Sequence, residues 1–250
     1  MNTAEILSLL LIATLGHVMA GIWYAAYKGN WSICDRRIYD IPIQDKQLRR
    51  ELKNSLHTPI HAVILAGFLY AGFFANRTWL SFFVTLALAF VWAEIWHYVS
   101  HRLMHWKPLH WIHVEHHKSH INSPFTAISF SFSEKLLFDL GYLGVLAGID
   151  LVAPLNFFGI AAWYVGYLII NSFSHANFEF RPDTYNKWLG QVLASTTYHS
   201  LHHSRYTSNY GLATRVLDRL CKTEWTDYEK LYDRVTVEKR PLKSLRERVD

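Results

Sequence analysis

Five apolar runs, each close to the roughly 20 residues a helix needs to cross a bilayer, constrain this chain more than any other feature. They cover approximately Ala4–Tyr27, Pro59–Ala75, Trp79–Val99, Leu136–Leu155 and Phe157–Phe173. Hydrocarbon offers no partner for a backbone N–H or C=O, so such runs should fold as helices that close their own hydrogen bonds. Composition agrees: 51% of residues are hydrophobic, 16% aromatic and only 18% charged. Asp139 and Asp150 make the fourth run the weakest span. The first run follows Glu5 with no basic residue before it and is long, which fits a membrane span better than a cleaved leader. No linker, repeat or low-complexity tract divides the chain. The expected fold is all-α: a polytopic membrane helical bundle forming one domain over residues 1–250, with a histidine-rich helical cap on the cytosolic side.

Sidedness is read from Lys and Arg, which favour cytosolic loops. Residues 28–58 are basic, the loop around Arg77 is not, residues 101–135 are basic again, residues 150–156 carry none, and thirteen follow Asn177. This alternation places the N-terminus outside and the C-terminus in the cytosol, at a bacterial inner membrane or the endoplasmic reticulum. A short chain of this kind, with no soluble extension, suggests a bacterial source. The net charge of +5 is explained by anionic headgroups beside the spans, without nucleic acid. Ile43, Leu48, Leu52 and Leu56 recur at near-helical spacing with Lys46, Arg49, Arg50 and Lys53 on other faces. That stretch is either a helix lying on the headgroups or an ordinary connecting helix. Cys34 and Cys221 form neither a CxxC pair nor a disulfide framework.

Fifteen histidines gather mainly in three clusters. HYVSH holds His97 and His101. HVEHH holds His113, His116 and His117. HSLHH holds His199, His202 and His203. Residues three and four apart share a helix face, so each cluster can aim two or three ring nitrogens at one place. Imidazole suits iron, zinc, copper or nickel rather than magnesium or calcium. Eight rings exceed what one ion accepts, which implies two metals. A single HxxxH is common, but two HxxHH boxes preceded by an HxxxH, all on one predicted membrane face, are not explained by a histidine-rich surface.

The order HxxxH, HxxHH, a lone histidine after the last span, then HxxHH resembles the fatty acid hydroxylase and sterol desaturase superfamily of membrane di-iron oxygenases. HYVSHRLMHW, with Arg102 and His105, is similar to the family's first box. HANFEF, carrying His175, resembles its lone-ligand segment, and HHSRYTSNYG its third box with the trailing Asn209, Tyr210 and Gly211. The likeness runs from about Trp92 to Thr223. It implies metal ligands at His97, His101, His113, His116, His117, His175, His199, His202 and His203, holding two iron ions for which zinc can substitute in purified protein. Where some members carry a histidine four residues before the lone one, this chain has Asn171, so that position is empty, water-filled or served by the amide. Downstream, the family's Trp-Asp-Arg-Leu-Phe-Gly-Thr corresponds to Leu217, Asp218, Arg219, Leu220, Cys221, Lys222 and Thr223.

His105 continues the i, i+4 ladder and is either a ligand or a support for one. His110 and His120 read as supporting or surface residues. His57 and His61 also stand four apart, but Pro59 lies between them, which marks the pair as a decoy. Glu94 either orients a ligand histidine or is an interfacial carboxylate. No HExxH, GxSxG or GxGxxG is present. The expected activity is oxygen-dependent hydroxylation or desaturation of a lipid C–H bond, such as a sterol or fatty acyl chain taken from the bilayer. Without a flavin, nicotinamide or iron–sulfur signature, electrons should come from a separate donor of cytochrome b5, ferredoxin or reductase type. Arg205, Arg215 and Arg219 are candidates for docking it, although the positive-inside bias accounts for them unaided. The alternatives are a zinc hydrolase in the same cage, or a non-enzymatic haem or metal-binding membrane protein.

Overall fold

The computed structural model describes residues 1–249. Ten α-helices occur among them: α1 Thr3–Lys28, α2 Asp45–Ser55, α3 Ile60–Tyr70, α4 Trp79–Met104, α5 His110–His117, α6 Phe132–Asp150, α7 Phe157–Ser174, α8 Thr196–Arg205, α9 Val216–Leu220 and α10 Tyr228–Thr236. No multi-residue strand forms among the described residues, only isolated bridges. The all-helical expectation holds.

Helices α1, α3, α4, α6 and α7 run between the same two ends of a bundle. At one end, Arg77 meets Glu5 at 2.6 Å, the Phe74 amide donates to Asp150 at 3.0 Å, and Ala75 bridges Asn156. At the other end lie the histidines and the cap. Polar side chains close the helix starts where the chain re-enters: Asn2 and Glu5 form a capping box on α1, Thr78 caps α4, Ser131 caps α6 and Asn156 caps α7.

Three helices are long and apolar enough to cross a membrane: Thr3–Lys28, Trp79–Met104 and Phe157–Ser174. The other two expected spans differ for physical reasons. α3 has only 11 residues, about 16 Å of rise, and an extended loop completes its path. α6 has 19 residues but carries Glu134, Lys135, Asp139 and Asp150. The two aspartates are hydrogen-bonded within the bundle rather than turned to lipid. Asp139 meets His61 Nδ1 at 2.7 Å and accepts from the Tyr164 hydroxyl at 2.9 Å. Asp150 accepts from the amides of Phe74 and Leu155. Outward side chains of α1 and α4 such as Leu7, Leu10, Phe83 and Val91 are exposed apolar residues, as a lipid-facing surface requires.

The core beneath is aromatic, with Tyr142, Trp163 and Tyr164 packed between α6 and α7. Gly159 permits α7 to touch α4, because a Cβ there would stand 2.8 Å from the Phe82 carbonyl oxygen. The cap has its own core around Tyr198, Leu201, Tyr228 and Tyr232.

α2 is anchored through its polar face and turns its leucines outward. It buries Glu51 and Ser55 and exposes Leu52 and Leu56. Its polar face is the connecting one: Glu51 accepts from Ser119 (2.6 Å), Ser123 and Thr126 (2.8 Å), and Arg50 donates to Ser119 at 2.6 Å. The helix is therefore a strut that fixes the loop after α5.

Candidate metal centre

The chain delivers its histidines from four places. α4 ends with His101 and continues into His105, α5 carries the second cluster, α7 stops at His175, and α8 carries the third. All of α8 except Ser204 is buried, so its three rings can only point inward. Two groups of donor atoms result, each within 4.8 Å of one another: His101, His105, His113, His117 and His202 in the first, and His116, His175, His199 and His203 in the second. Helical spacing explains the division. Within each HxxHH the i and i+4 rings enter one group and the i+3 ring enters the other. α5 gives two rings to the first group and one to the second, and α8 does the reverse.

Groups around the cage select the tautomer of its rings. His101 Nδ1 donates to the Tyr210 carbonyl at 2.8 Å, His116 to Ser129 at 3.1 Å, His175 to Asn171 at 2.8 Å, His202 to Ser208 at 2.7 Å and His203 to Ser119 at 3.1 Å. His113 Nδ1 meets the Glu134 carboxylate at 2.5 Å. A carbonyl only accepts, so each of those Nδ1 atoms carries the hydrogen and each neutral ring presents a bare Nε2 lone pair to the centre. Burial also keeps the rings neutral. It drives His105 down to about 2 and His175 down to about 4, and pushes His113, His116, His117, His199, His202 and His203 far below the ordinary imidazole value.

The arrangement suits a cation. His175 and His203 both donate through Nδ1 to carbonyls, yet their Nε2 atoms face each other at 3.1 Å. Two lone pairs at that distance repel unless a proton or a metal ion sits between them, and burial disfavours the proton. The Nε2 atoms of His97, His101, His105 and His113 are buried with no hydrogen-bond partner among the described residues. A set of neutral imidazole nitrogens converging on two points fits a pair of first-row transition ions.

Comparison with known proteins agrees with the geometry. The sequence profile of the fatty acid hydroxylase family matches residues 86–223, more than half of the chain and the whole region holding the cage. This chain belongs to the fatty acid hydroxylase family. It is 32% identical to a methylsterol monooxygenase of Aspergillus fumigatus over 143 residues, which cover 56% of this chain and 48% of that protein. It is 29% identical to a very-long-chain aldehyde decarbonylase of Oryza sativa subsp. japonica over 165 residues, covering 60% of this chain and 25% of that protein. It is 26% identical to the CER1-like 1 protein of Arabidopsis thaliana over 226 residues, covering 87% of this chain and 36% of that protein. The chain thus spans about half the length of the first relative and roughly a quarter to a third of the other two. No solved structure matches it.

In this member of the fatty acid hydroxylase family the cage differs from the expected ligand set at one end. His105, left open between ligand and support, stands in the first group, while His97 stands outside both. The His97 ring lies 5.2 Å from that of His101, and it lines the same cavity as His116, His175 and His199. His120 is exposed and outside the cage. His110 stands outside both groups and contacts the Tyr206 hydroxyl at 3.2 Å and the Met104 carbonyl at 3.4 Å. His57 is exposed and His61 is buried against Asp139, so Pro59 separates them as expected. Asn171 lines the cavity, donates its amide to the Ala127 carbonyl, and through its own carbonyl fixes His175. Glu94 does not orient a histidine: its Oε2 accepts from the Thr214 amide at 2.9 Å and hydroxyl at 2.6 Å. The docking role considered for arginines fails at two positions. Arg205 is paired with Asp227 at 2.6 Å, and Arg215 is fully buried between Glu224 and Glu229. Arg219 is also engaged, with Glu224 and Glu229.

Three supporting residues escaped the sequence reading. Glu134 and Glu51 lie outside every box and have no spacing that marks them. Asp218 did have a signal, since it belongs to the segment that resembles the family's downstream motif. Its carboxylate accepts from the amides of Tyr210 (3.0 Å) and Gly211 (2.7 Å), from Tyr198 (2.9 Å) and from Thr223 (2.7 Å). This holds the Asn-Tyr-Gly turn so that the Tyr210 carbonyl meets His101. The turn needs its residues: Asn209 has φ +58°, and a Cβ on Gly211 would lie 2.2 Å from the Thr214 carbonyl oxygen.

Proposed function

We propose that this protein is a membrane-bound di-iron oxidoreductase that uses dioxygen to hydroxylate or desaturate a C–H bond of a lipid. The observation that carries the proposal is the cage itself, nine rings whose donor nitrogens gather in two groups. Paired iron, if held by this cage, would supply the power to reduce dioxygen and attack an unactivated C–H bond, which acid–base side chains lack. His101, His105, His113, His117 and His202 would hold one ion and His116, His175, His199 and His203 the other. His97 is the spare nitrogen lining the cavity.

The chain's own residues do the rest. The carbonyls of Tyr210, Ser129, Asn171, Ser208 and Ser119, with the Glu134 carboxylate, keep the rings neutral and aimed. Phe130, Phe138 and Met104 line the cage cavity and exclude water. A second cavity of about 370 Å³ lies between α4 and α7, shares His97, Phe138, Tyr167 and Leu212 with the first, and is lined mostly by apolar side chains. It offers an alkyl chain a path from the lipid-facing side to the metals. Electrons would come from a separate carrier protein on the cytosolic side, a sidedness that the Lys/Arg bias of the loops supports.

The test is to express the protein and its His116→Ala and His202→Ala variants and to compare cellular lipids by mass spectrometry. Products shifted by one oxygen or by two hydrogens are expected with the wild type alone, and both variants should express normally with less bound metal. Normal turnover by either variant overturns the ligand assignment. Wild-type activity that needs neither dioxygen nor reductant overturns the reaction class.

A further inference from the structure

The larger cavity ends in a polar corner that the metal chemistry does not use. Its walls are apolar, with Phe83, Leu86, Phe90, Trp163, Ile170 and Leu212 among them. Phe83 and Phe90 are 61% and 40% exposed on the outer face of α4, so the cavity opens toward the acyl chains. Glu94, Tyr167 and His97 supply polar atoms near its inner end. Glu94 lies one helical turn before His97, and both of its bonds fall on Oε2. Its Oε1 takes no hydrogen bond from the described residues. The Tyr167 hydroxyl also has no partner among them, and Tyr167 lines both cavities.

We infer that Glu94 is the specificity-determining residue for the lipid headgroup, and that the substrate is a chain or ring system bearing a neutral hydroxyl. This rests on the reading of the protein as a lipid oxygenase and names the substrate class within it. Glu94 offers an acceptor and Tyr167 a donor, and an alcohol supplies the complement of both. An aldehyde or ester has no hydrogen to give to Glu94. A fatty-acid carboxylate would bring a second negative charge into an apolar cavity, where like charges are poorly screened. An unsubstituted hydrocarbon would leave the polar atoms unpaired, which costs affinity because they lose water and gain nothing. The hydroxyl anchored beside His97 holds the adjoining part of the lipid at the passage into the metal cavity.

The experiment is equilibrium binding of tritiated hexadecan-1-ol to the full-length metal-loaded protein in detergent. Dioxygen and reductant are withheld so that nothing turns over. Unlabelled hexadecan-1-ol, hexadecanal, hexadecanoate and hexadecane compete. The wild type should prefer the alcohol to each of the other three by about tenfold or more. Glu94→Gln keeps the size and an acceptor for Thr214 but turns an N–H toward the cavity, so hexadecanoate should gain about tenfold relative to the alcohol. Glu94→Leu should lose the preference for alcohol over hydrocarbon. Each comparison is a ratio within one protein, so a variant with less folded material still gives an answer. Equal binding of the four ligands by the wild type, or an unchanged order in Glu94→Gln, overturns the inference and leaves the lipid oxygenase standing. No binding of any chain overturns both.

Discussion

Replacing Asp218 by asparagine tests whether the turn after the third histidine box tunes one metal group. The carboxylate is fully buried and accepts four hydrogen bonds, two on each oxygen: Tyr210 N and Thr223 Oγ1 on Oδ1, and Gly211 N and Tyr198 Oη on Oδ2. An amide keeps one acceptor oxygen and points an NH2 at two donors. Two buried donors are left unmet, at about 1–3 kcal/mol each, so a loss of about 3–5 kcal/mol in stability is expected. The Tyr210 carbonyl then loses its fixed position and with it the partner of His101 Nδ1. Removing a support of this kind costs about 10- to 100-fold in metal affinity. Only the first group contains His101, so one of two metals should be lost first. The assay is metal per chain by mass spectrometry after a graded chelator challenge, beside a thermal melt. Thr223→Val, which removes one of the four donors, should give a smaller effect on both. If Asp218→Asn keeps both metals with wild-type resistance to the chelator, the turn does not act on the cage and the reasoning fails.

Asn171→Ala should lower bound metal less than His175→Ala, since the alanine retains the backbone carbonyl that fixes His175 and loses only the amide bond to Ala127; metal analysis of the two variants side by side decides. Stability of the metal-free protein should fall as pH drops below about 6.5. The unfolded chain protonates its imidazoles there, while burial in the folded chain holds His175 down to about 4 and its neighbour His203 well below the ordinary value, so the unfolded state binds more protons. His175 alone accounts for about 3 kcal/mol between those two values, and a melting temperature that rose from pH 7.5 to pH 5 would contradict this. Glu51→Gln should lower stability by about 1–3 kcal/mol, because the amide keeps one acceptor oxygen and turns its NH2 either at Ser123 or at Ser119 and Thr126, measured by denaturant unfolding, and should weaken metal binding because Ser119 also supports His203.

Much of this site was legible because helical spacing is a local property. HVEHH and HSLHH each put three rings on one helix as the spacing predicts, but α5 and α8 divide theirs between two groups where the sequence reading aimed each cluster at one place. What the sequence could not decide was the offset along the α4 ladder. His97, His101 and His105 are equivalent by spacing, and packing of α5 and α8 near the end of α4 selects the last two for the tight group. Tertiary supports were equally hidden. Glu51 sits in a stretch with the composition of a surface helix, yet its function depends on the loop at Ser119, 68 residues away. Arg205 and Arg215 looked like surface charge because their acidic partners are distant by the rules of local pattern, and burial of both is a property of the cap core. The short α3 shows the same limit at the level of fold. An apolar run predicts burial in hydrocarbon, but the length of helix it forms depends on where the neighbouring loop is pinned, here by Asp150 at Phe74.

The division of rings between the groups carries a further consequence for how the cage is built. If each box served one metal, the two sites would be separable, and either helix could move without disturbing the other's ion. Instead α5 and α8 each donate to both groups, and direct Nε2 contacts join His117 to His202 at 3.0 Å, and His175 to His203 at 3.1 Å and to His199 at 3.0 Å. His175 and His203 both carry their hydrogen on Nδ1, so their contact sets two bare nitrogens together, while His117 and His199, whose Nδ1 atoms have no partner among the described residues, can donate Nε2–H to His202 and His175. Ions held in such a shared cage would couple α5 to α8. The membrane helices supply His101 within α4, and His105 and His175 just past the ends of α4 and α7, from a bundle with its own apolar core. The bundle thus positions three of the nine rings, and α5 and α8 bring the other six to them.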